Sequence, residues 1–194
     1  MDGLSALPYF SYNLVMKNFQ WIVGFLLVCL AIPVHAADLT LFGGVQNPGK
    51  LTLQSTAQPS LLDPRSFGTF VMRVSQGRVI GSEHTLAYSP NFISSDNSAF
   101  IYNSNFMVQA PLESVRPYVT AGFGIVHIGG DAAQFITGGF LTGNKFAANY
   151  GGGVKIKLSG PVGIQIDARG YTIPSVLEET LNVIEVSAGV VFTF

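Results

Sequence analysis

Residues 182–194 read Asn-Val-Ile-Glu-Val-Ser-Ala-Gly-Val-Val-Phe-Thr-Phe, and their alternation decides the fold. One parity is apolar: Ile184, Val186, Ala188, Val190, Phe192 and Phe194. The other is mostly small or polar: Val183, Glu185, Ser187, Gly189, Val191 and Thr193. Period-two alternation over such a length is a strand with one greasy and one polar face. A long apolar strand at an open sheet edge is a template for aggregation. Closing the sheet removes the edge, and a bilayer takes up the greasy face, so the stretch reads as the closing strand of a membrane barrel.

Seven further candidate strands precede it, at 38–46, 67–75, 79–89, 99–109, 116–128, 145–158 and 162–173. The one at 99–109 alternates most clearly, with Phe100, Tyr102, Phe106 and Val108 against Asn103, Asn105 and Gln109. Gln76-Gly77-Arg78 and Ser159-Gly160-Pro161 read as tight turns. The connections run long, short, long, short, long, short, long, ending with 174–181, as in barrels with long external loops and short periplasmic turns. Each strand has about ten residues, enough to cross a bilayer at a tilt. No proline is expected to interrupt a strand, with Pro117 near the start of the fifth and Pro161 before the seventh. The expected fold is all-β: an eight-stranded antiparallel up-and-down transmembrane barrel over residues 37–194. An even strand number puts both termini on one side, expected to be the periplasm.

Residues 1–36 read as a leader. Lys17 precedes an apolar run at 21–34, and Val34-His35-Ala36 supplies a small-residue cleavage site, so this is a secretory signal peptide cut near Ala36 or Ala37. Met16-Lys17 makes a second natural start, which would leave 1–15 as an upstream extension. The single cysteine, Cys29, falls in the leader after Val28, outside the lipoprotein pattern, so the remaining chain has no disulfide framework. With 11% charged residues and a formal net charge of −1, the composition carries no nucleic-acid footprint.

Three segments, in order, carry a resemblance. Ser-Val-Arg-Pro-Tyr-Val-Thr-Ala-Gly-Phe-Gly at 114–124, Tyr-Gly-Gly-Gly-Val-Lys at 150–155 and Gly-Ile-Gln-Ile-Asp-Ala-Arg-Gly-Tyr at 163–171 resemble the fifth, sixth and seventh strands of the OmpA-like family of outer-membrane barrels. The resemblance implies residence in the bacterial outer membrane, with lipid around the barrel. It also implies that the terminal aromatics Phe192 and Phe194 are read by the barrel assembly machinery. Longer members carry a peptidoglycan-binding domain after the barrel; this sequence is expected to stop short of one. A monomer is expected, and the partner of the external loops is unknown.

Seven charges fall on the inward parity: Arg73, Glu83, Lys155, Lys157, Asp167, Arg169 and Glu185. A barrel of eight strands is just wide enough to be filled by side chains, and charges there must be paired or hydrated. Counting from the turns sets Arg73 diagonal to Glu83 and Asp167 diagonal to Lys155, and brings Arg169 level with Glu185, so a lumen charge network is expected. Catalytic chemistry on lipid would need a histidine beside a hydroxyl nucleophile and a carboxylate. Neither His84, outward beside Ser82, nor His127, near Asp131, forms such a motif, so no catalytic residue is expected. No spacing suits a metal, and no cofactor is expected. Gly151-Gly152-Gly153 lacks the Lys-Ser/Thr and helix of a phosphate loop and reads as close packing within a strand. The expected role is structural or surface-interacting, through the external loops and without enzymatic activity. The alternatives are a narrow channel for small solutes or ions, and a soluble ligand-carrying barrel with a greasy lumen and polar exterior.

Overall fold

The computed structural model describes residues 37–49, 51–53, 60–62, 66–92, 97–130, 143–176 and 179–194. The leader reading of 1–36 lies outside the described residues. Ten strands follow in order: β1 (Ala37–Pro48), β2 (Leu51–Leu53), β3 (Ser60–Leu62), β4 (Phe67–Gln76), β5 (Ile80–Pro90), β6 (Asn97–Gln109), β7 (Val115–Gly130), β8 (Gly143–Ser159), β9 (Val162–Val176) and β10 (Glu179–Thr193). Eight of them close into a barrel in the order β1-β10-β9-β8-β7-β6-β5-β4, every neighbour antiparallel, with β1 returning to pair with β4. The closing seam runs from Asp38↔Thr193 to Pro48↔Val183, and beyond it the Phe194 amide donates to the Ala37 carbonyl at 2.9 Å.

Burial alternates along every barrel strand with the sense of a membrane barrel. Outward lie Phe70, Phe106, Phe123, Tyr150, Ile184 and many like them, all exposed. Inward lie Arg73, Glu83, Asn105, Gln165, Asp167 and Arg169, all buried. An exterior this apolar around a polar interior fits a hydrocarbon solvent and is opposite to what a soluble ligand-carrying barrel requires.

Several boundaries differ from the sequence reading. The last connection is not 174–181: β9 and β10 continue as a ribbon and leave only 177–178 between them. At 15 residues each, these strands outrun the roughly ten needed to cross a bilayer. Their pairing continues through a register shift between Glu179 and Leu181. The connection between β1 and β4 carries its own two-stranded sheet, β2 with β3. Prolines do enter strands: Pro48 and Pro90 end β1 and β5, Pro117 sits third in β7, and Pro174 lies near the end of β9. All four occupy strand ends, where a missing donor costs least. At the tight turns Gly77 (φ 106°) and Gly160 (φ 56°) supply the left-handed backbone.

The interior is not polar throughout. At the end of the barrel bearing the long loops, Phe67, Phe92, Ile128, Ile173 and Leu181 belong to one apolar cluster, which reaches down to Phe42 beside Arg73. Phe92 reaches it from the β5–β6 connection. Asn91 turns the chain at φ 59°, the Phe92 amide donates to the Asn97 carbonyl at 2.9 Å, and the ring sits edge-on against Phe67 at 5.0 Å. This cap was missed by counting parity, because inward apolar residues at strand ends look like ordinary breaks in alternation.

Candidate functional site

Arg73 on β4, Glu83 on β5, and Asp167 and Arg169 on β9 meet at the centre of the lumen. Each cation contacts both anions: Arg73 Nε lies 3.6 Å from Glu83 and Arg73 Nη1 3.2 Å from Asp167, while Arg169 reaches Glu83 at 2.6 Å and Asp167 at 2.8 Å. The four charges cancel, and none has a side chain more than 1% exposed. Removing charge from water is costly, and an ion pair offsets the cost only when the remaining lone pairs and protons are also satisfied. Neutral side chains supply much of that. Asn105 donates to Glu83 at 3.0 Å, Arg73 Nε donates to Thr85 at 3.2 Å, and Tyr118 donates to Asp167. Gln165 donates to the Tyr118 hydroxyl at 2.7 Å and accepts from Thr40 at 2.6 Å. The Arg73 guanidinium also lies 4.4 Å from the Phe42 ring centre.

The glycine run makes room for these groups. A Cβ on Gly153 would lie 2.7 Å from the Tyr118 hydroxyl and 3.0 Å from its ring, and one on Gly151 would lie 2.8 Å from Cγ of Arg169. Side chains at those inward positions would displace the groups that hold Asp167 and Glu83.

Lys155 and Glu185 stand apart from the central four. Lys155 is diagonal to Asp167 in register, but its ammonium turns toward the end bearing the tight turns and meets Asp38 and Ser75, each at 2.8 Å. Arg116 joins Asp38 at 3.4 Å and Thr193 donates to it at 2.6 Å. This group lies in a mouth of about 540 Å³ that is also lined by Arg78, Gln109 and Glu113. Glu185 is level with Arg169 in the β10–β9 register, yet they form no ion pair among the described residues, because Arg169 extends to Glu83 and Asp167. Glu185 instead accepts from Gln46 at 2.6 Å and from Tyr171 at 3.4 Å. The Ser89 hydroxyl lies within hydrogen-bond distance of both Gln46 Oε1 (3.2 Å) and Thr69 Oγ1 (3.0 Å) and has one proton to share between them.

Lys157 must be corrected. It is exposed near the end of β8, where the register shifts between Lys157 and Ser159, and it borders the mouth without entering the network. Sequence reasoning missed Asp38, Arg116, Tyr118 and Tyr171. Their inward parity was visible, but Asp38 and Arg116 lie at strand starts, and a tyrosine on an inward position looks like bulk until its hydroxyl has a partner. Phe192 and Phe194 lie at the end of β10 beside the start of β1, with Phe194 exposed.

The histidines have modest partners. His84 Nδ1 lies 3.1 Å from the Tyr102 hydroxyl on the outer wall, and His127 Nδ1 lies 2.9 Å from Asn144 Oδ1. Among the described residues, no group of three or more His, Cys, Asp or Glu side chains could hold a metal ion.

No protein-family profile and no curated protein matches the chain. Solved structures do. The Neisserial surface protein A (NspA) aligns over 83% of this chain and 100% of its own, at 13% identity and a TM-score of 0.61. The N-terminal β-barrel domain of Pseudomonas aeruginosa OprF covers 82% and 97%, at 14% identity and a TM-score of 0.55. The outer membrane protein OprG from the same species covers 82% and 95%, at 8% identity and a TM-score of 0.53. At such identities the likeness concerns the fold: an eight-stranded barrel of the outer-membrane type.

Proposed function

We propose that this chain is a bacterial outer-membrane protein whose barrel serves as a closed anchor and whose long loops make its surface contacts, without enzymatic activity. The observation that carries the reading is the obstructed lumen. Four mutually paired charges fill its centre, and an apolar cluster that includes Phe92 covers the loop end. An interior built this way holds the wall together and leaves little room for transport, which sets the narrow-channel alternative second. That alternative draws on one feature, the buried polar atoms such as Arg73 Nη2 and both amide atoms of Asn103 that have no hydrogen-bond partner among the described residues. Such atoms are places that suit water. The non-enzymatic reading draws on the histidines, whose partners among the described residues, Tyr102 and Asn144, are not the carboxylates that would make either a general base, while Asp131 lies outside the described residues. Within this reading the short-turn end faces the periplasm, and the terminal strand with Phe192 and Phe194 is what the assembly machinery recognises.

The test combines location with conductance. The protein should fractionate with the outer membrane, and unheated samples should migrate differently from boiled ones in detergent gels. The refolded protein should show only small conductance in planar bilayers. Large, steady single-channel currents from the wild type would replace the anchor with the channel.

A further inference from the structure

The mouth at the tight-turn end is a cavity of about 540 Å³. Its walls come from every side of the barrel: Arg78 from the β4–β5 turn, Glu113 from the β6–β7 turn, Pro161 from the β8–β9 turn, and Asp38 and Thr193 at the β1–β10 seam. The cavity therefore opens along the barrel axis, between the turns, and not sideways into lipid. Its charge is unbalanced. Arg78, Arg116, Lys155 and Lys157 line it against Asp38 and Glu113, a surplus of two positive charges among the described side chains. Lys155 and Arg116 share the Asp38 carboxylate, at 2.8 and 3.4 Å. Arg116 meets Asp38 and Thr193 through Nη2 alone, so its other two nitrogens are unengaged among the described residues. The β4–β5 and β8–β9 turns stand opposite each other in the ring of eight strands, which puts the exposed Arg78 and Lys157 on opposite rims. Gln109 lines the same mouth and is 4% exposed. Its Nε2 donates to the Gly77 and Arg78 carbonyls at 2.6 and 3.2 Å, and its Oε1 has no hydrogen-bond partner among the described residues. Leu112, Ile156, Val162 and Val191 add apolar surface.

We propose that this mouth is a binding site for a small, soluble phosphate monoester with a hydroxyl on its organic part. A cleft lined by one sign of charge between low-dielectric walls concentrates counter-ions. A phosphate monoester brings close to two negative charges at neutral pH, which matches the surplus. The unengaged nitrogens of Arg116 take phosphate oxygens in charge-assisted hydrogen bonds, and Arg78 and Lys157 add their charge from either rim. The volume falls within the range of small-molecule sites, roughly 300–1,000 Å³, so the ligand is larger than a bare ion. Its organic part lies on the apolar wall, and its hydroxyl gives Gln109 Oε1 the donor it lacks. The axial opening selects a soluble ester over a lipid phosphate, whose chains would have to leave the bilayer to bring the headgroup in. Beyond Lys155 the lumen is filled by the four paired charges, so the ligand is held and not carried through. Under the reading above, this end faces the periplasm and takes its ligand from there; the binding itself does not depend on that orientation.

The test titrates glycerol 3-phosphate into the refolded full chain in a nonionic detergent at low salt, read by calorimetry. Saturable one-to-one binding is expected, weakening as salt is raised. Arg116→Gln should weaken it about tenfold. Arg78→Gln combined with Lys157→Gln, two exposed positions, should weaken it several-fold, and the heat-dependent gel shift should be unchanged in both variants to show that the barrel still closes. The same titration in vesicles should give the same affinity with phosphatidylcholine alone and with phosphatidylglycerol added. The site is overturned if the wild type shows no saturable binding, or if both variants bind as the wild type does. Loss of binding only where phosphatidylglycerol is present would give the mouth to lipid headgroups and overturn the soluble ligand. Succinate binding as tightly as glycerol 3-phosphate would overturn the phosphate assignment.

Discussion

Arg169 shows how much depends on single side chains here. It contacts Glu83 and Asp167, and it occupies space left open by Gly151. Losing one partner of a buried pair costs more than the pair contributes, because an uncompensated charge is left behind; the scale is roughly 3–5 kcal/mol, reduced where water reaches the site. Arg169→Gln should therefore lower stability by about that amount in urea unfolding of the vesicle-embedded protein, and adding Glu83→Gln should recover part of it. Strict additivity in that cycle would mean the two do not interact. Glu185→Gln should change stability by less than about 1 kcal/mol, since an amide can keep the bonds to Gln46 and Tyr171. Gly153→Ala should cost about 1–3 kcal/mol through overpacking against the Ile166 carbonyl and Tyr118. Inward parity was legible in the sequence for Arg73, Glu83, Lys155, Asp167, Arg169 and Glu185. Partner choice was not, because long side chains select partners around the lumen, and register says only which Cα atoms are level. Arg169 and Glu185 are level and unpaired, whereas Lys155 and Asp38 pair from opposite ends of the sequence.

The strands were easier to read than the segments between them. Alternation located all eight barrel strands, because outward apolar and inward polar residues differ in every pair of positions. It located their ends poorly. β9 and β10 run on to Val176 and Glu179, past any depth at which the bilayer imposes alternation, and short β2 and β3 carry no pattern long enough to detect. Under the proposed reading the terminal strand concentrates two roles. Its inward face supplies Glu185 and Ser187, and its outward end supplies Phe192 and Phe194. Phe194 adds one backbone bond to Ala37 and an exposed ring, so it contributes little to the finished barrel. Deleting Phe194 should accordingly lower outer-membrane yield in cells several-fold while the purified protein refolds in detergent as before. Unchanged yield would remove the assembly role from this residue.

Taken whole, the molecule places two obstructions in series along its axis: the apolar cluster at the loop end and the charge quartet at the centre. They fail independently. Phe92→Ala should let water in from the loop side without raising ion conductance, because the paired charges remain. A large rise in conductance from Phe92→Ala alone would show that the charges do not block. The seam between β1 and β10 has a further consequence. Every other barrel contact joins strands adjacent along the chain, with only the β1–β4 neighbours separated by a hairpin, so each can form from local sequence. The seam alone joins Ala37 to Phe194, and it cannot form until β10 is present. The barrel is thus a ring cut at one arbitrary point. Because Ala37 and Phe194 are hydrogen-bonded to each other, a barrel made of residues 37–194 alone could be joined there by a short linker and reopened within any of its long loops. Such a permuted chain would keep all eight strand pairings, and only the order in which they form would change.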